Sequence, residues 1–292
     1  MDTLSQRMMM GAAGGEDPMR LVVDTSIHTS YTIFFWRPVD VFIDWGDGST
    51  DTLVDASGSG SIGKSHTWSS AAEYTIKVTG KAYGLGQSGA LIGNQSALTK
   101  CLSFGDLGFV KMSGGFIYHT SLNEVPEAIP PAVTDLSALF YNASSFNQDI
   151  SMWETANVTN MGSMFFGSAV FNQNIGGWDV SNVTNMASMF QGATAFNQDI
   201  GGWDVSSVTT MATMFADATS FNQDIGSWDM GSVQFASIMF FNATAFNQDL
   251  SGIVTGLTAQ PTLFSSGANA TFANNANGLK PYLSDGVTQI NT

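Results

Sequence analysis

The chain has 292 residues, 43% of them hydrophobic, which excludes wholesale disorder and leaves enough apolar material for an extended packed core. Nine Lys and Arg stand against 24 Asp and Glu, a formal charge of -15, which excludes a phosphate-neutralising surface and argues against nucleic acid as a partner. The lone cysteine, Cys101, excludes an intrachain disulfide, and no apolar run approaches the roughly 20 residues of a membrane-spanning helix.

Residues 1–19 have neither a strand nor a helix period, and they hold the adaptable apolar run Met8, Met9 and Met10. They predict an arm that is either a disordered terminus or a docking segment for a larger assembly. Asp2 offsets Arg7 and the apolar run ends at Ala13, a poor match to an export signal.

From residue 20 to 82 the pattern turns to short runs rich in Val and aromatics: Leu21–Val23, Tyr31–Trp36, Val39–Trp45 and Tyr74–Val78. Such runs, separated by turn residues, predict a small antiparallel β-sandwich. Between two of them lies Asp44-Trp45-Gly46-Asp47-Gly48-Ser49, in which glycines let the chain reverse and the carboxylates of Asp44 and Asp47 accept bonds from their own loop's amides. Asp44, Asp47 and Asp51 also offer oxygen ligands of the kind Ca2+ takes, the one cofactor the sequence suggests, although their spacing matches no established calcium loop. Downstream come Ser65-His66-Thr67-Trp68 and Glu73-Tyr74-Thr75-Ile76-Lys77-Val78. Turn and strand together resemble a PKD-type immunoglobulin-like domain, with Trp68 and Ala72 where that family usually carries Tyr and Gly. His66 is expected to orient a strand junction.

A glycine-rich stretch, residues 83–97, links this module to a repeat region over residues 98–264. Phe146, Phe171, Phe196, Phe221 and Phe246 each open the phrase FNQ(D/N)(I/L), and each follows its predecessor by 25 residues. A unit this short cannot bury its own apolar face, so copies must stack into a solenoid with one shared core. Within a copy, Trp178 and Val180 alternate about Asp179 as in a short strand, whereas Val183, Met186 and Phe190 carry a helical stripe. Each coil is therefore expected to hold a strand and a short helix, giving a mainly β chain with parallel strands. Residues 265–292, where the pattern is lost, are expected to cap the stack.

The phrases WDVSNVTNMASMF and AFNQDI, repeated with small changes from about Leu122 to Leu250, resemble the BspA-type leucine-rich repeats of bacterial surface proteins. That resemblance implies a parallel-stranded solenoid used in adhesion, with a broad range of targets. From the residues themselves, the Trp153/178/203/228, Met164/189/214/239 and Phe165/190/215/240 ladders should line the core. The Asn147/172/197/222/247 ladder should be buried amides bonded to neighbouring coils.

Function would have to lie on outward positions. Glu154, Asp179, Asp204 and Asp229 form an acidic row, and Asp149, Asp199, Asp224 and Asp249 form a second one interrupted by Asn174. The first row is the candidate binding stripe for cations or a basic partner; the alternative is that these carboxylates cap turns or solvate the surface. No phosphate loop, no Cys or His metal cluster and no nucleophile elbow occurs, and His28, His66 and His119 fit no catalytic spacing. The expectation is a non-enzymatic protein displayed on a surface. A virion protein of a phage, in the head decoration or the tail, is the favoured placement, because a virion exposes its proteins without secretion. On that reading the arm and sandwich meet other virion proteins and the repeats meet a host receptor or glycan, with an oligomer compatible. A bacterial cell-surface adhesin and an accessory module of a carbohydrate-active system are the alternatives.

Overall fold

The structure, a computed structural model, describes residues 17–87 and 95–250. Most of the N-terminal arm, residues 88–94 of the linker, residues 251–264 of the repeat region and the C-terminal cap lie outside the described residues. The fold is mainly β. Six strands form one antiparallel sheet: β1 (Met19–Asp24), β2 (Ser30–Asp44), β3 (Thr50–Asp55), β4 (Ser61–Thr67), β5 (Glu73–Leu85) and β6 (Leu98–Ser103), the last entered through a 3-10 turn, Gln95–Ala97.

β2 organises this sheet because it is long enough to serve three partners. Its first half pairs with β4, from Ser30 opposite Thr67 to Trp36 opposite Ser61, and its second half pairs with β3, from Val39 opposite Asp55 to Asp44 opposite Thr50. β5 lies along its other side, β1 follows β5, and β6 closes the order. The two halves are separated by a register shift between Trp36 and Val39, where Pro38 has no N–H to give a ladder. Tyr31, Ile33, Phe35, Val39, Val41 and Ile43 are buried on one face, and Leu21, Val23, Ile76 and Val78 join them. The sandwich expected for residues 20–82 thus takes the form of a single open sheet, with no second facing sheet among the described residues.

The repeats continue directly from the sheet. β6 is both the edge strand beside β1 and the start of the coils: the N–H of Cys101 donates to the Glu124 carbonyl, and Lys100 bridges Glu124 in parallel. β5 hands on in the same way at Gly84, which bridges Lys111. A Cβ on Gly84 would run into the Lys111 backbone, so only glycine permits this approach. From there single parallel bridges pass from Lys111 to Asp135, Asn160, Asn185, Thr210 and Phe235, one to each coil. One apolar cluster runs from Met19 in the sheet to Leu250 in the last described coil.

Two expectations for the coil are corrected. Residues 104–250 contain neither helix nor multi-residue strand; turns and isolated bridges replace both. The helical stripe fails because each coil places a left-handed residue within it: Ala138, Ser163, Ser188, Thr213 and Ile238 all have φ between 48 and 57°. Consecutive i to i+3 turns result, such as Met189 N–H to the Met186 carbonyl and Gln191 N–H to the Ser188 carbonyl. The strand around Asp179 fails because the carboxylate of Asp179 captures the N–H of Ser181 at 3.0 Å, which removes a donor from the ladder. What remains between coils is a set of amide-to-carbonyl bonds along the bridge face, including Met161 to Asn185, Ser163 to Ala187, Phe165 to Met189 and Gly167 to Gln191.

The core side chains stack coil upon coil. Trp153 lies 6.4 Å from Trp178 and Trp203 lies 6.5 Å from Trp228, in near-parallel planes. Phe140, Phe165, Phe190, Phe215 and Phe240 follow at 5.5–5.7 Å. Each indole N–H also reaches back one coil: Trp178, Trp203 and Trp228 donate at 3.1 Å to the carbonyls of Ile150, Ile175 and Ile200. The Asn ladder makes its expected bonds, Asn197 N–H to Asn172 Oδ1 and Gln198 Nε2 to the Asn172 carbonyl, but from an exposed to half-buried position. It fastens the outer wall of the stack.

Candidate functional site: the acidic face of the coils

Glu154, Asp179, Asp204 and Asp229 are all exposed, at equivalent positions of successive coils. The three aspartates do local work. Asp179 Oδ1 accepts from both the amide and the hydroxyl of Ser181, Asp204 Oδ1 does the same with Ser206, and Asp229 Oδ1 accepts from the amide of Gly231. These bonds hold the Asp179 and Asp204 carboxyls below the usual range; at Asp179 the charge of Asp204 pushes back upward. The turn-capping bonds therefore offset the repulsion of an aligned acidic row.

The second row obeys the same rule. Asp149, Asp199 and Asp224 accept from the amides of Ser151, Gly201 and Gly226, and Asn174 accepts from Gly176 at 3.0 Å. Since Asn174 makes the same bond as its acidic neighbours, the geometry needs an oxygen and not a charge.

Sequence reading overlooked the segregation of charge. All seven described lysines and arginines fall between Arg20 and Lys111, whereas residues 112–250 hold twelve Asp and Glu and no Lys or Arg. Counting cations by segment would have found it. Nearly all the sheet's cations face carboxylates or other local acceptors, as in Arg37–Asp55, Lys64–Asp51, Lys100–Glu124 and Lys111–Asp135. Apart from Glu124 and Asp135, which pair with Lys100 and Lys111, the coil carboxylates have no Lys or Arg within residues 112–250 to offset them.

The carboxylates weighed for Ca2+ are engaged by the protein. Asp44 Oδ1 accepts from Gly46, Asp47 contacts Ser49 and His66, and Asp51 lies 2.8 Å from the Lys64 ammonium and 2.9 Å from Trp45 Nε1. Among the described residues no group of three Asp, Glu, His or Cys side chains converges as a metal site. His66, stacked on Trp45 with ring centroids 4.9 Å apart and bonded to Asp47 at 2.9 Å, ties β4 to the turn after β2.

A small cavity sits where the sheet meets the first coil, lined by Leu21, Tyr31, Gln95, Phe116 and His119 among others. His119 is buried there: Nδ1 donates to the Ile117 carbonyl at 3.0 Å, so Nε2 accepts from the Tyr31 hydroxyl at 3.1 Å. Burial pulls the imidazole down to about 4. The folded chain then keeps His119 neutral while the unfolded chain takes up a proton below about pH 6.5, so this group's contribution to stability declines as pH falls through that window. Lowering the pH from 6.5 to 5 is expected to cost about 2 kcal/mol through this group. Urea titrations of wild type and His119→Leu at the two pH values check it, the variant losing that part of the pH dependence.

The assembled features define a class: a short antiparallel sheet continued by stacked turn-built coils, acidic and free of Lys and Arg from residue 112 to 250. The chain belongs to the family described as Mycoplasma protein of unknown function, DUF285, whose profile matches residues 111–205 and again 174–277, more than half of the chain. That membership is compatible with BspA-type repeats. No curated protein and no solved structure matches the chain. No helix of the described residues is long and apolar enough to cross a membrane.

Proposed function

We propose that the chain is a non-enzymatic, surface-displayed binding protein whose coils form a solenoid presenting a collectively acidic face. The observation that carries the reading is the run from residue 112 to 250, with twelve carboxylates and no Lys or Arg, on a stack whose Trp, Met and Phe ladders line one core. Equivalent carboxylates on successive coils share one environment, which suits additive attraction of a cationic surface and not acid–base chemistry, where two environments must push pKa values apart. The family match and the BspA-like phrases favour the bacterial cell surface as the place of display. The sheet, with its Asp44–Ser49 turn, serves on this reading as a PKD-like base from which the coils project.

A phage virion is the second placement. Its support is the methionine-bearing arm as a docking segment, and residues 1–16 of that arm lie outside the described residues. The cell surface is accordingly the placement adopted.

Adhesion of the purified chain to a polylysine-coated surface tests the collective reading. Replacing Glu154 by Gln and Asp179, Asp204 and Asp229 by Asn, singly and together, is expected to weaken adhesion step by step, with raised salt acting likewise because exposed charges are screened within ~8 Å at physiological ionic strength. The turns survive, since Asn offers the same oxygen. Loss of adhesion in one single variant alone would replace the collective face with a discrete site, and undiminished adhesion in the quadruple variant would remove the row from function.

A further inference from the structure

Asn157-Val158-Thr159 and Asn182-Val183-Thr184 repeat one triplet at the same point of two successive coils. Each asparagine sits in an i to i+3 turn, closed by the Val158 N–H on the Thr155 carbonyl and by the Val183 N–H on the Val180 carbonyl. The middle valines are buried in the core, whereas Asn157, Thr159, Asn182 and Thr184 are all exposed. An outward amide two residues before an outward hydroxyl, with no proline between them, is the acceptor form for an N-linked sugar. The side chains are held in place by the preceding coil. Asn182 Nδ2 donates to the Ala156 carbonyl at 2.9 Å and Thr184 Oγ1 to the Thr159 carbonyl at 3.1 Å, while Asn157 Nδ2 donates to Pro131 at 3.0 Å and Thr159 Oγ1 to Thr134 at 3.2 Å. Each amide nitrogen uses one of its two hydrogens in that bond and keeps the other for substitution. Two further triplets of this form, at Asn142 and Asn242, begin on left-handed residues with φ of 52° and 55° and are not part of the site.

The stack itself does not require these asparagines. Other coils carry Ala132, Ser207 and Ser232 at the same position and close the same turn, Val133 on Pro130, Val208 on Val205 and Val233 on Met230. We infer that Asn157 and Asn182 are acceptor sites for an N-linked sugar, transferred by a separate glycosyltransferase from a glycosyl diphosphate donor. In that transfer the amide nitrogen bonds to the anomeric carbon of the sugar. The bond from that carbon to the diphosphate oxygen breaks, its electron pair leaves on the diphosphate, and the amide proton passes to a base of the transferase. Because both triplets lie on the outside of the folded coils, the reaction needs no unfolding of the acceptor. The inference goes beyond the binding role proposed above and stands without it.

The test is peptide mass spectrometry of the full chain isolated from the cells that naturally produce it, with fragmentation that locates the sugar on its residue. Sugar is expected on the amides of Asn157 and Asn182. Asn182→Ser, which borrows the residue of the next coil, and Thr184→Val, which removes the hydroxyl, should each abolish the Asn182 signal and leave that of Asn157. Thr184→Ser should retain both. Ser207→Asn completes a third triplet with Val208 and Thr209 and should add a third modified peptide. A single hexose identifies a nucleotide-carried donor, and a preassembled oligosaccharide a lipid-carried one. Unmodified asparagines in wild type, sugar on hydroxyls in place of the amides, or an Asn182 signal that persists in Thr184→Val overturns the inference. Wild type alone decides the first two outcomes, so a variant that fails to fold does not remove the test.

Discussion

Trp203→Ala is expected to destabilise the chain by roughly 4–6 kcal/mol, the largest effect of any single change considered. Trp203 is 4% exposed and stacks 6.5 Å from Trp228 and 6.4 Å from Phe190. Truncation of a core aromatic leaves a cavity that the stacked neighbours cannot close and costs about 3–5 kcal/mol. It also strands the Ile175 carbonyl, which accepts from the indole at 3.1 Å, for about 1 kcal/mol more. Because each coil leans on the next, the loss spreads along the axis. Equilibrium unfolding in urea measures it; a change under about 1 kcal/mol would place Trp203 outside the stack's core.

Adjacent glycines should respond in opposite ways to the same change. A Cβ on Gly201 would meet the Asp224 carbonyl of the next coil, whereas nothing lies within 4 Å of one on Gly202. Gly201→Val is expected to cost roughly 3 kcal/mol or more, since the obstacle is backbone and can yield only by parting two coils. Gly202→Val should change stability by no more than about 0.5 kcal/mol, as for an ordinary surface position. Parallel melts of the pair test whether the coils stack in this register. Equal losses, or a larger loss at Gly202, would require a different one.

These contrasts show what the sequence made legible. The recurrence of Phe146 through Phe246 at one interval revealed the stack and its inward ladders, because a fixed repeat length forces equivalent residues into equivalent places. The interior of one coil was less legible. Val183, Met186 and Phe190 have helical spacing, yet Ser188 adopts φ of 57° and divides the stripe into turns. Serine carries no sign of that conformation in its type; bonding to the adjacent coil imposes it, as Ser188 N–H donates to the Ala212 carbonyl. Asp179 misled similarly, since its alternation with Trp178 and Val180 fits a strand while its side chain prefers the amide two residues on.

The sheet was legible strand by strand and not as a layer. Alternation in β2 identified its inward face, but not that the Tyr31 end of that face meets Phe116 and His119 of the first coil, or that the sheet runs on into the coils through β6 and through Gly84 at Lys111. A second sheet seemed necessary only because the two regions were read as separate modules. On the acidic face, turn capping was one of the two readings the residues left open, and the bonds of the second row show it: Asn174 stands among aspartates there because turn geometry needs only the oxygen. The charge itself is the surplus that function can use.

Display of that surplus is the central claim, and antibody labelling tests it most directly. Antibodies raised against the coil region, residues 112–250, should label intact cells that produce the protein, and external protease should remove the signal. Labelling that appears only after the cells are permeabilised would contradict it.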